Sequence, residues 1–386
     1  MQRSLLIICL WVLGSAICAA EPTLTRESIT EAEGSELVND FLVPIYNTDF
    51  DLKKDTLVLE DLSHFKDKDL LASLVKNLEK SLFFLLDLDV PTSDLDIDFN
   101  TNYIGSMHRI SHTISTAISF VNKGYKKRHE IHIKLLKYNS NEESVLNELY
   151  SLRSLNGMES GLKFIGYYFD TRIAGKEYVY IFTQLASVAF SSDNASLFQY
   201  IKLAEGLKKL HDRGYIHNDI KPDNIRIEDT SLEDPFEDLS MEHKNQPIFI
   251  DYGCMSPYKE NYLTADCLTP LYASPEHMLM IYSNSSEDYK EYDAKKSDIY
   301  ELGLSLVHNE CRHYAYIGLE GCWKVKKLME LDEDDEEFNQ KVYDIKMTLS
   351  RYNPPGLLGE LFDIIDPDPA KRPNLQEIIE KLNTFL

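Results

Sequence analysis

The chain has 386 residues, of which 43% are hydrophobic and 27% are charged, with a formal net charge of -24. Enough of it is apolar to bury a sizeable core, so a wholly disordered chain is excluded, and the length fits one large or two ordinary domains. Acidic side chains outnumber basic ones by 64 to 40, which argues against binding nucleic acid through its phosphates. A charged partner or substrate is therefore expected to be basic.

The pattern of residues 1–20 is that of a secretory signal peptide. Arg3 precedes the apolar run 5–14, and small residues at 16–20 offer a cleavage site. A signal anchor is the alternative, although the apolar run is short for a bilayer. No later segment reaches transmembrane length in the sequence, so we expect a secreted or lumenal protein. Entry into the lumen would make the sequons at Asn194 and Asn284 sites of glycosylation.

Four cysteines follow the signal segment: Cys254, Cys267, Cys311 and Cys322. An even number in an oxidising compartment favours two disulfides, for which three pairings exist. The local pairing, Cys254 with Cys267 and Cys311 with Cys322, would close the shortest loops. Four buried thiols are the alternative, and the spacings do not resemble a zinc site.

An acidic extension precedes the main domain. Residues 21–100 contain 19 acidic and 7 basic side chains. We predict that this stretch is disordered at its start and forms one amphipathic helix, residues 67–87, whose leucines pack on the main domain. Its charge is interpreted as a solvated surface rather than a binding tail.

From residue 101 onwards, strands come first and helices after. The predicted elements are two strands joined by a polar turn, one helix, two further strands and a strongly periodic helix, at residues 114–121, 130–136, 142–155, 162–169, 178–184 and 197–211. This order in one contiguous block predicts an α+β architecture with two lobes.

The segment 217–224 (His-Asn-Asp-Ile-Lys-Pro-Asp-Asn) carries the clearest chemistry. In a tight loop, Asp219, Lys221 and Asn224 would converge, and together they suit phosphoryl transfer. The carboxylate orients an incoming hydroxyl, the ammonium neutralises developing charge and the amide oxygen holds a metal. Asp251 follows an apolar strand 32 residues after Asp219 and precedes a glycine turn, which is a natural position for a Mg²⁺ ligand.

A charged pair is predicted upstream of that loop. Lys134 lies inside an apolar strand, and Glu148 follows 14 residues later on the next helix. A lysine in a strand that is buried on one face needs a partner, and Glu148 can provide it.

Taken in this order and spacing, the motifs resemble the eukaryotic protein kinase superfamily over residues 103–386. The resemblance implies a protein kinase-like fold in residues 101–386, with a small β-rich N-lobe (about 101–184) and a larger helical C-lobe (about 187–386). It also implies ATP and Mg²⁺ as cofactors and a protein hydroxyl as the acceptor of the γ-phosphate.

The resemblance assigns a role to each of these residues. Lys134 is similar to the lysine on the α/β-phosphates with Glu148 as its partner, and Asp219 resembles the catalytic base. Lys221 would contact the γ-phosphate. Asn224 and Asp251 resemble the Mg²⁺ ligands. Thr183 is similar to the gatekeeper, and Gln184 to Ala186 resemble the hinge that contacts adenine.

Three C-lobe segments extend the resemblance. Residues 274–276 (Ser-Pro-Glu) are similar to the motif that closes the activation segment, with Arg372 as the ion-pair partner of Glu276. Residues 298–303 resemble the buried helix whose aspartate braces the catalytic loop. Residues 269–276, named the docking loop below, are similar to the substrate-docking loop of serine/threonine kinases. With Lys221, they imply serine/threonine specificity.

Two departures weaken the resemblance. The glycine-rich phosphate loop is replaced by residues 111–118, whose cofactor contacts would be Ser111, Thr113, Thr116 and Ile118. Hydroxyl groups add donors there, but β-branched residues resist the conformations that glycine allows, so weaker nucleotide binding is expected. An alternative alignment starts at Gly105. Asn218 also replaces the arginine that usually precedes the base, and a pseudokinase that acts as a binding module is the competing interpretation.

Overall fold

A computed structural model describes residues 57–59, 95–100, 103–109, 115–122, 128–138, 142–158, 161–171, 177–184, 186, 188–191, 195–229, 245–258, 269–282, 293–314, 319–333, 337–349 and 351–386. The predicted signal peptide, the helix at 67–87 and the asparagines of both sequons lie outside these ranges.

A seven-stranded antiparallel sheet forms the N-lobe. Its strands are β1 (Leu57–Leu59), β2 (Leu95–Asn100), β3 (Tyr103–Arg109), β4 (Ser115–Asn122), β5 (Arg128–Lys137), β6 (Phe164–Asp170) and β7 (Tyr178–Gln184). Their order across the sheet is β1-β6-β7-β5-β4-β3-β2. Helix α1 (Glu142–Leu155) connects β5 to β6. Strand β6 is buried throughout, and β7 is buried except for its last residue, as expected for runs rich in aromatic and β-branched residues.

The sheet crosses the predicted boundary between extension and domain at residue 101. Strand β2 pairs with β3 at one edge, and β1 pairs with β6 at the other. Neither strand was predicted, although β2 reads Leu-Asp-Ile-Asp-Phe-Asn, the period-2 alternation typical of a half-buried strand. Described parts of the acidic stretch thus supply both edge strands of the sheet.

Helices dominate the C-lobe. They are α2 (Leu197–Asp212), α3 (Pro275–Tyr282), α4 (Ala294–Tyr314), α5 (Glu320–Met329), α6 (Phe338–Leu349), α7 (Leu357–Ile364) and α8 (Leu375–Asn383). Helix α8 begins with a reciprocal cap, since Asn374 Oδ1 accepts from the Glu377 N–H and Glu377 accepts from the Asn374 N–H. In the described part of the chain, no helix has the length and apolar character to cross a membrane.

Two small sheets are formed by short strands outside the N-lobe sheet. Strands β8 (Val188–Ala189), β10 (Ile225–Asp229) and β11 (Asn245–Phe249) form one, in the order β11-β10-β8. Strands β9 (Tyr215–Ile216) and β12 (Ser256–Pro257) form the other. With the large N-terminal sheet and the helical second half, they confirm the predicted α+β, two-lobe protein kinase-like fold.

Helix α4 is the centre of the C-lobe core. Leu302, Leu304 and Leu306 on this helix are fully buried. A Cβ added at Gly303 would lie 2.5 Å from Ile364 Cγ2, so the glycine is what lets α7 approach α4 so closely.

Helix α4 is also linked covalently to α5 by a Cys311–Cys322 disulfide, which confirms one of the two local pairings. Cys254 is disulfide-bonded too, and its predicted partner Cys267 lies outside the described residues.

Candidate active site

The loop that follows β9 is held by two buried carboxylates of α4. Asp298 accepts from the backbone N–H groups of His217 (2.8 Å) and Asn218 (2.9 Å). One turn further along α4, Glu301 accepts from the N–H of Ile220 at 2.8 Å. Asp298 is 0% exposed and Glu301 is 2% exposed, so both carboxylates form these bonds away from water, where such bonds are strong. The predicted bracing role of Asp298 is confirmed.

Asn218 fills the position where the resemblance predicts arginine. Its φ of 64° lies in the left-handed region, which asparagine tolerates better than most residues. Its side-chain amide donates to the Cys254 carbonyl and to Ser256 Oγ, each at 3.0 Å. An uncharged group therefore ties the loop directly to the segment after Asp251, where an arginine would instead read a phosphate.

Asp219 lies at the centre of a network of short hydrogen bonds. Its Oδ1 accepts from the Thr269 hydroxyl at 2.6 Å, and its Oδ2 accepts from Lys221 (2.7 Å) and from Asn224 Nδ2 (2.8 Å). Lys221 also donates to Thr269 Oγ1 at 2.7 Å. The tertiary structure thus brings together the three polar residues that the sequence singled out in this loop. It adds Thr269, which was predicted only as part of the docking loop.

The candidate Mg²⁺ ligands are oriented by the same network. Asn224 Nδ2 donates to both the carbonyl and the carboxylate of Asp219. The Oδ1 atom of Asn224 is thereby directed away from Asp219. Asp251 also has a left-handed backbone, and its Oδ1 accepts from Lys134 at 2.9 Å. A hydrogen bond from the Ile250 N–H to the Asn224 carbonyl (2.9 Å) holds the two segments side by side. Amide and carboxylate oxygens held in this way suit Mg²⁺, a cation that prefers oxygen ligands.

The predicted Lys134–Glu148 ion pair is present. Lys134 Nζ lies 2.8 Å from Glu148 Oε1 and 2.9 Å from Asp251 Oδ1. Burial disfavours the ammonium, but Glu148 and Asp251 more than offset it and raise the pKa of Lys134. Chiefly because of Lys134, the pKa of Asp251 falls to about 2. Asp251 is therefore ionised at pH 7, as a metal ligand must be.

Helix α1 is fixed to the segment after Asp251. Asn147, the neighbour of Glu148, donates to the carbonyls of Gly253 and Met255, each at 2.9 Å. The Tyr252 hydroxyl accepts from the Leu162 N–H at 3.1 Å. These bonds connect α1, the N-lobe and the Asp251 turn, so the ion pair belongs to a braced arrangement.

The strand register bears on two predicted cofactor contacts. In the β4–β5 pair, Ser115 is opposite Lys134 and Thr116 is opposite Ile133, which is 1% exposed. The register therefore pairs Ser115 with Lys134, and the cofactor contacts of Thr116 and Ile118 stay predictions.

The alignment of the substituted phosphate loop over residues 111–118 stays a prediction, because residues 111–114 lie outside the described ranges. The alternative start at Gly105 is wrong, because Gly105 pairs with Phe120 within β3 rather than at a turn. Ser111 and Thr113 lie outside the described residues.

A histidine on the cleft face was missed from the sequence. His132 is two residues from Lys134 on β5, and its Nδ1 lies 3.2 Å from Thr183 Oγ1. Burial, with Lys134 nearby, lowers the pKa of His132 to about 4, so the ring is neutral at pH 7. Thr183 is buried, while Gln184 and Ala186 are half-buried. The period-2 alternation with Lys134 was a signal for His132 in the sequence.

The docking loop is anchored at its last residue, Glu276, by an ion pair. Arg372 donates to Glu276 through both terminal nitrogens, at 2.5 and 2.7 Å. The predicted pairing is confirmed, in the bidentate geometry that gives such pairs specificity.

Comparison with known proteins agrees with this geometry. The family described as protein kinase domain matches residues 113–382. The chain belongs to this family.

Individual relatives are named as serine/threonine-protein kinases. One from Acanthamoeba polyphaga mimivirus is 29% identical over 48% of this chain and 55% of its own length. The ovarian-specific kinase Lok of Drosophila melanogaster is 30% identical over 33% of this chain and 23% of its own. The CBL-interacting serine/threonine-protein kinase 21 of Arabidopsis thaliana is 25% identical over 50% of this chain and 38% of its own length. The chain thus spans about half or less of the length of these relatives.

Proposed function

We propose that this chain is an active serine/threonine protein kinase that transfers the γ-phosphate of ATP to protein hydroxyls. The observation that carries the proposal is the contact of Lys134 with both Glu148 and Asp251, each within 3 Å. It places the cation for the phosphates next to a candidate metal ligand, in the arrangement that phosphoryl transfer requires.

Each residue of the site has a defined task in this proposal. Lys134 would hold the α/β-phosphates, and Asn224 and Asp251 would hold Mg²⁺, which would neutralise charge on the transferring phosphate. Asp219 accepts the proton of the acceptor hydroxyl, while Lys221 lies beside it for the γ-phosphate. Transfer then depends mainly on positioning, which the hydrogen bonds to Asp219 provide.

The acceptor is proposed to be a serine or threonine in a protein. Lys221 and Thr269 support this, since their bonds to Asp219 are formed by the two segments that resemble the serine/threonine branch. The excess of acidic over basic residues favours substrates with basic flanking residues.

The protein is proposed to act in the secretory pathway or outside the cell. Two independent features support this proposal: the signal-like pattern of residues 1–20, and the Cys311–Cys322 disulfide, because disulfides persist mainly in oxidising compartments.

Thermal unfolding of the full chain with and without Mg²⁺-ATP tests the nucleotide site. We expect ATP to raise the melting temperature only when Mg²⁺ is present, because Asn224 and Asp251 are proposed to hold the nucleotide through the metal. A ligand at 100 times its Kd stabilises the folded state by about 2.7 kcal/mol. Asp251→Ala should abolish this shift. Asp212→Ala, at an exposed carboxylate on α2, should retain it.

The same measurement separates the two interpretations of the chain. Absence of a shift at millimolar ATP in the unmodified chain would contradict the kinase proposal and favour a pseudokinase that binds partners. A shift that persists in Asp251→Ala would show that nucleotide binds without the predicted metal ligand.

A further inference from the structure

Lys346 of α6 is a buried lysine that the active-site residues above do not account for. Its side chain is 0% exposed. Its Nζ donates to the carbonyl of Pro270 at 2.5 Å and to the carbonyl of Ala273, and it approaches Met278 Sδ at 3.6 Å. Both carbonyls belong to the docking loop. A residue from a different part of the chain therefore supplies hydrogen-bond donors to this loop from beneath.

The surroundings of Lys346 combine aromatic and charged groups from three elements. The Tyr300 ring lies 5.9 Å from Nζ, and Arg372 packs on the same ring at 4.8 Å. Glu301 of α4 and Glu276 of α3 are the acidic groups near Lys346, and burial raises the pKa of Glu301 to about 7. The buried His277 lies 3.7 Å from Glu301.

These groups determine the charge of Lys346. Burial lowers its pKa to about 7, with partial compensation from Glu301 and Glu276. An ammonium has three N–H donors and a neutral amine has two. Both carbonyls therefore keep their donor on either side of neutrality.

The segment that Lys346 holds is the turn at residues 269–273, whose first residue, Thr269, is hydrogen-bonded to the proposed catalytic base. The N–H groups of Tyr272 and Ala273 donate to the Thr269 carbonyl at 2.9 and 3.0 Å, which closes the turn. The Thr269 hydroxyl then donates to Asp219 Oδ1. A continuous chain of hydrogen bonds thus runs from Lys346 through the turn to the carboxylate of Asp219.

We propose that Lys346 is a positioning residue for the acceptor substrate, which sets the turn at residues 269–273 so that Thr269 orients Asp219. This inference rests on the proposed kinase function. Without Lys346, the buried carbonyl of Ala273 and the part-buried carbonyl of Pro270 would lose this donor, and the turn would be free to move towards water. Among the described residues, the partners of Lys346 include none of the proposed nucleotide contacts, so ATP binding is expected to be unaffected.

The test compares Lys346→Met with Lys341→Met, a change at a half-exposed lysine on the same helix. In the full chain, Lys346→Met should raise the KM for a serine-containing peptide and lower kcat, with kcat/KM falling at least about tenfold at both pH 6 and pH 8. The thermal shift with Mg²⁺-ATP should not change. Lys341→Met should match the unmodified chain in every measurement.

Amide hydrogen exchange gives a readout that needs no catalysis. Without nucleotide, exchange at residues 269–273 should rise at least about tenfold in Lys346→Met, beyond any change elsewhere in the C-lobe. Unchanged local exchange, or a rise spread over the whole C-lobe, would overturn the inference. If the unmodified chain phosphorylates no peptide, the proposed function fails, and the exchange comparison still decides whether Lys346 holds the turn.

A conservative variant covers the case in which Lys346→Met does not fold. Lys346→Gln keeps two N–H donors on a shorter side chain. It should restore part of kcat/KM and part of the protection of residues 269–273. If Lys346→Gln folds and lowers kcat/KM while exchange at residues 269–273 stays equal to that of the unmodified chain, the lysine does not act by positioning the turn.

Discussion

Replacing Asp219 by asparagine is expected to lower kcat for peptide phosphorylation by about a thousandfold, within the range attributed to a general base. The substitution keeps the shape of the side chain. Its amide can face Thr269 Oγ1 while its oxygen still accepts from Lys221 and Asn224, so the loop geometry should survive. What is lost is the group that takes the proton of the acceptor hydroxyl.

Steady-state phosphorylation of a serine peptide measures this effect, alongside the Mg²⁺-ATP thermal shift. The shift should be retained, because Asp219 is neither a proposed metal ligand nor a proposed phosphate contact. Asp212→Asn at the surface of α2 is the matched control and should leave kcat unchanged. A kcat for Asp219→Asn within threefold of the unmodified chain would exclude Asp219 as the base.

The second large effect is expected on stability, from Arg372→Ala. The arginine side chain is fully buried, while its partner Glu276 is 17% exposed. Further donors of Arg372 bond to the carbonyls of Asp366 (2.6 Å) and Lys296 (2.9 Å). Removing it leaves a largely buried carboxylate and several carbonyls without their donor. Breaking a buried pair from one side costs about 3–5 kcal/mol.

Chemical denaturation measures the free energy of unfolding of this variant. Lys381→Ala provides the control, since Lys381 forms an exposed pair with Glu360 and should cost less than about 1 kcal/mol. Arg372→Lys should recover little, because an ammonium cannot form the forked pair. A loss below about 1 kcal/mol for Arg372→Ala would show that the pair contributes little to the C-lobe.

Local signals in the sequence were sufficient for the elements with strong periodicity. Helix 142–155 and strand 178–184 are confirmed to the residue, because apolar spacing and β-branched runs define them without reference to distant parts of the chain. The loop 217–224 was also identifiable, since its polar residues are only two to five positions apart. Short separations in sequence fix which side chains can converge.

Contacts between distant segments could not be obtained in this way. The hydrogen bond from Thr269 to Asp219 joins residues 50 positions apart, and those from Lys346 to the docking loop span more than 70. Nothing in the sequence near Lys346 distinguishes it from a surface lysine on a helix. Its burial depends on the packing of α6 against α3, α4 and the docking loop.

The register between strands β4 and β5 is a feature that the sequence predicted only in part. The sequence by itself determined that two strands joined by a polar turn follow the extension and that Lys134, on the second of them, pairs with Glu148. It did not determine which residues of the first strand share the face of Lys134. Side chains alternate between the faces of a strand, so a shift of one residue in the alignment would exchange the residues that share a face with Lys134. That choice depends on backbone pairing between strands, which only the tertiary structure decides.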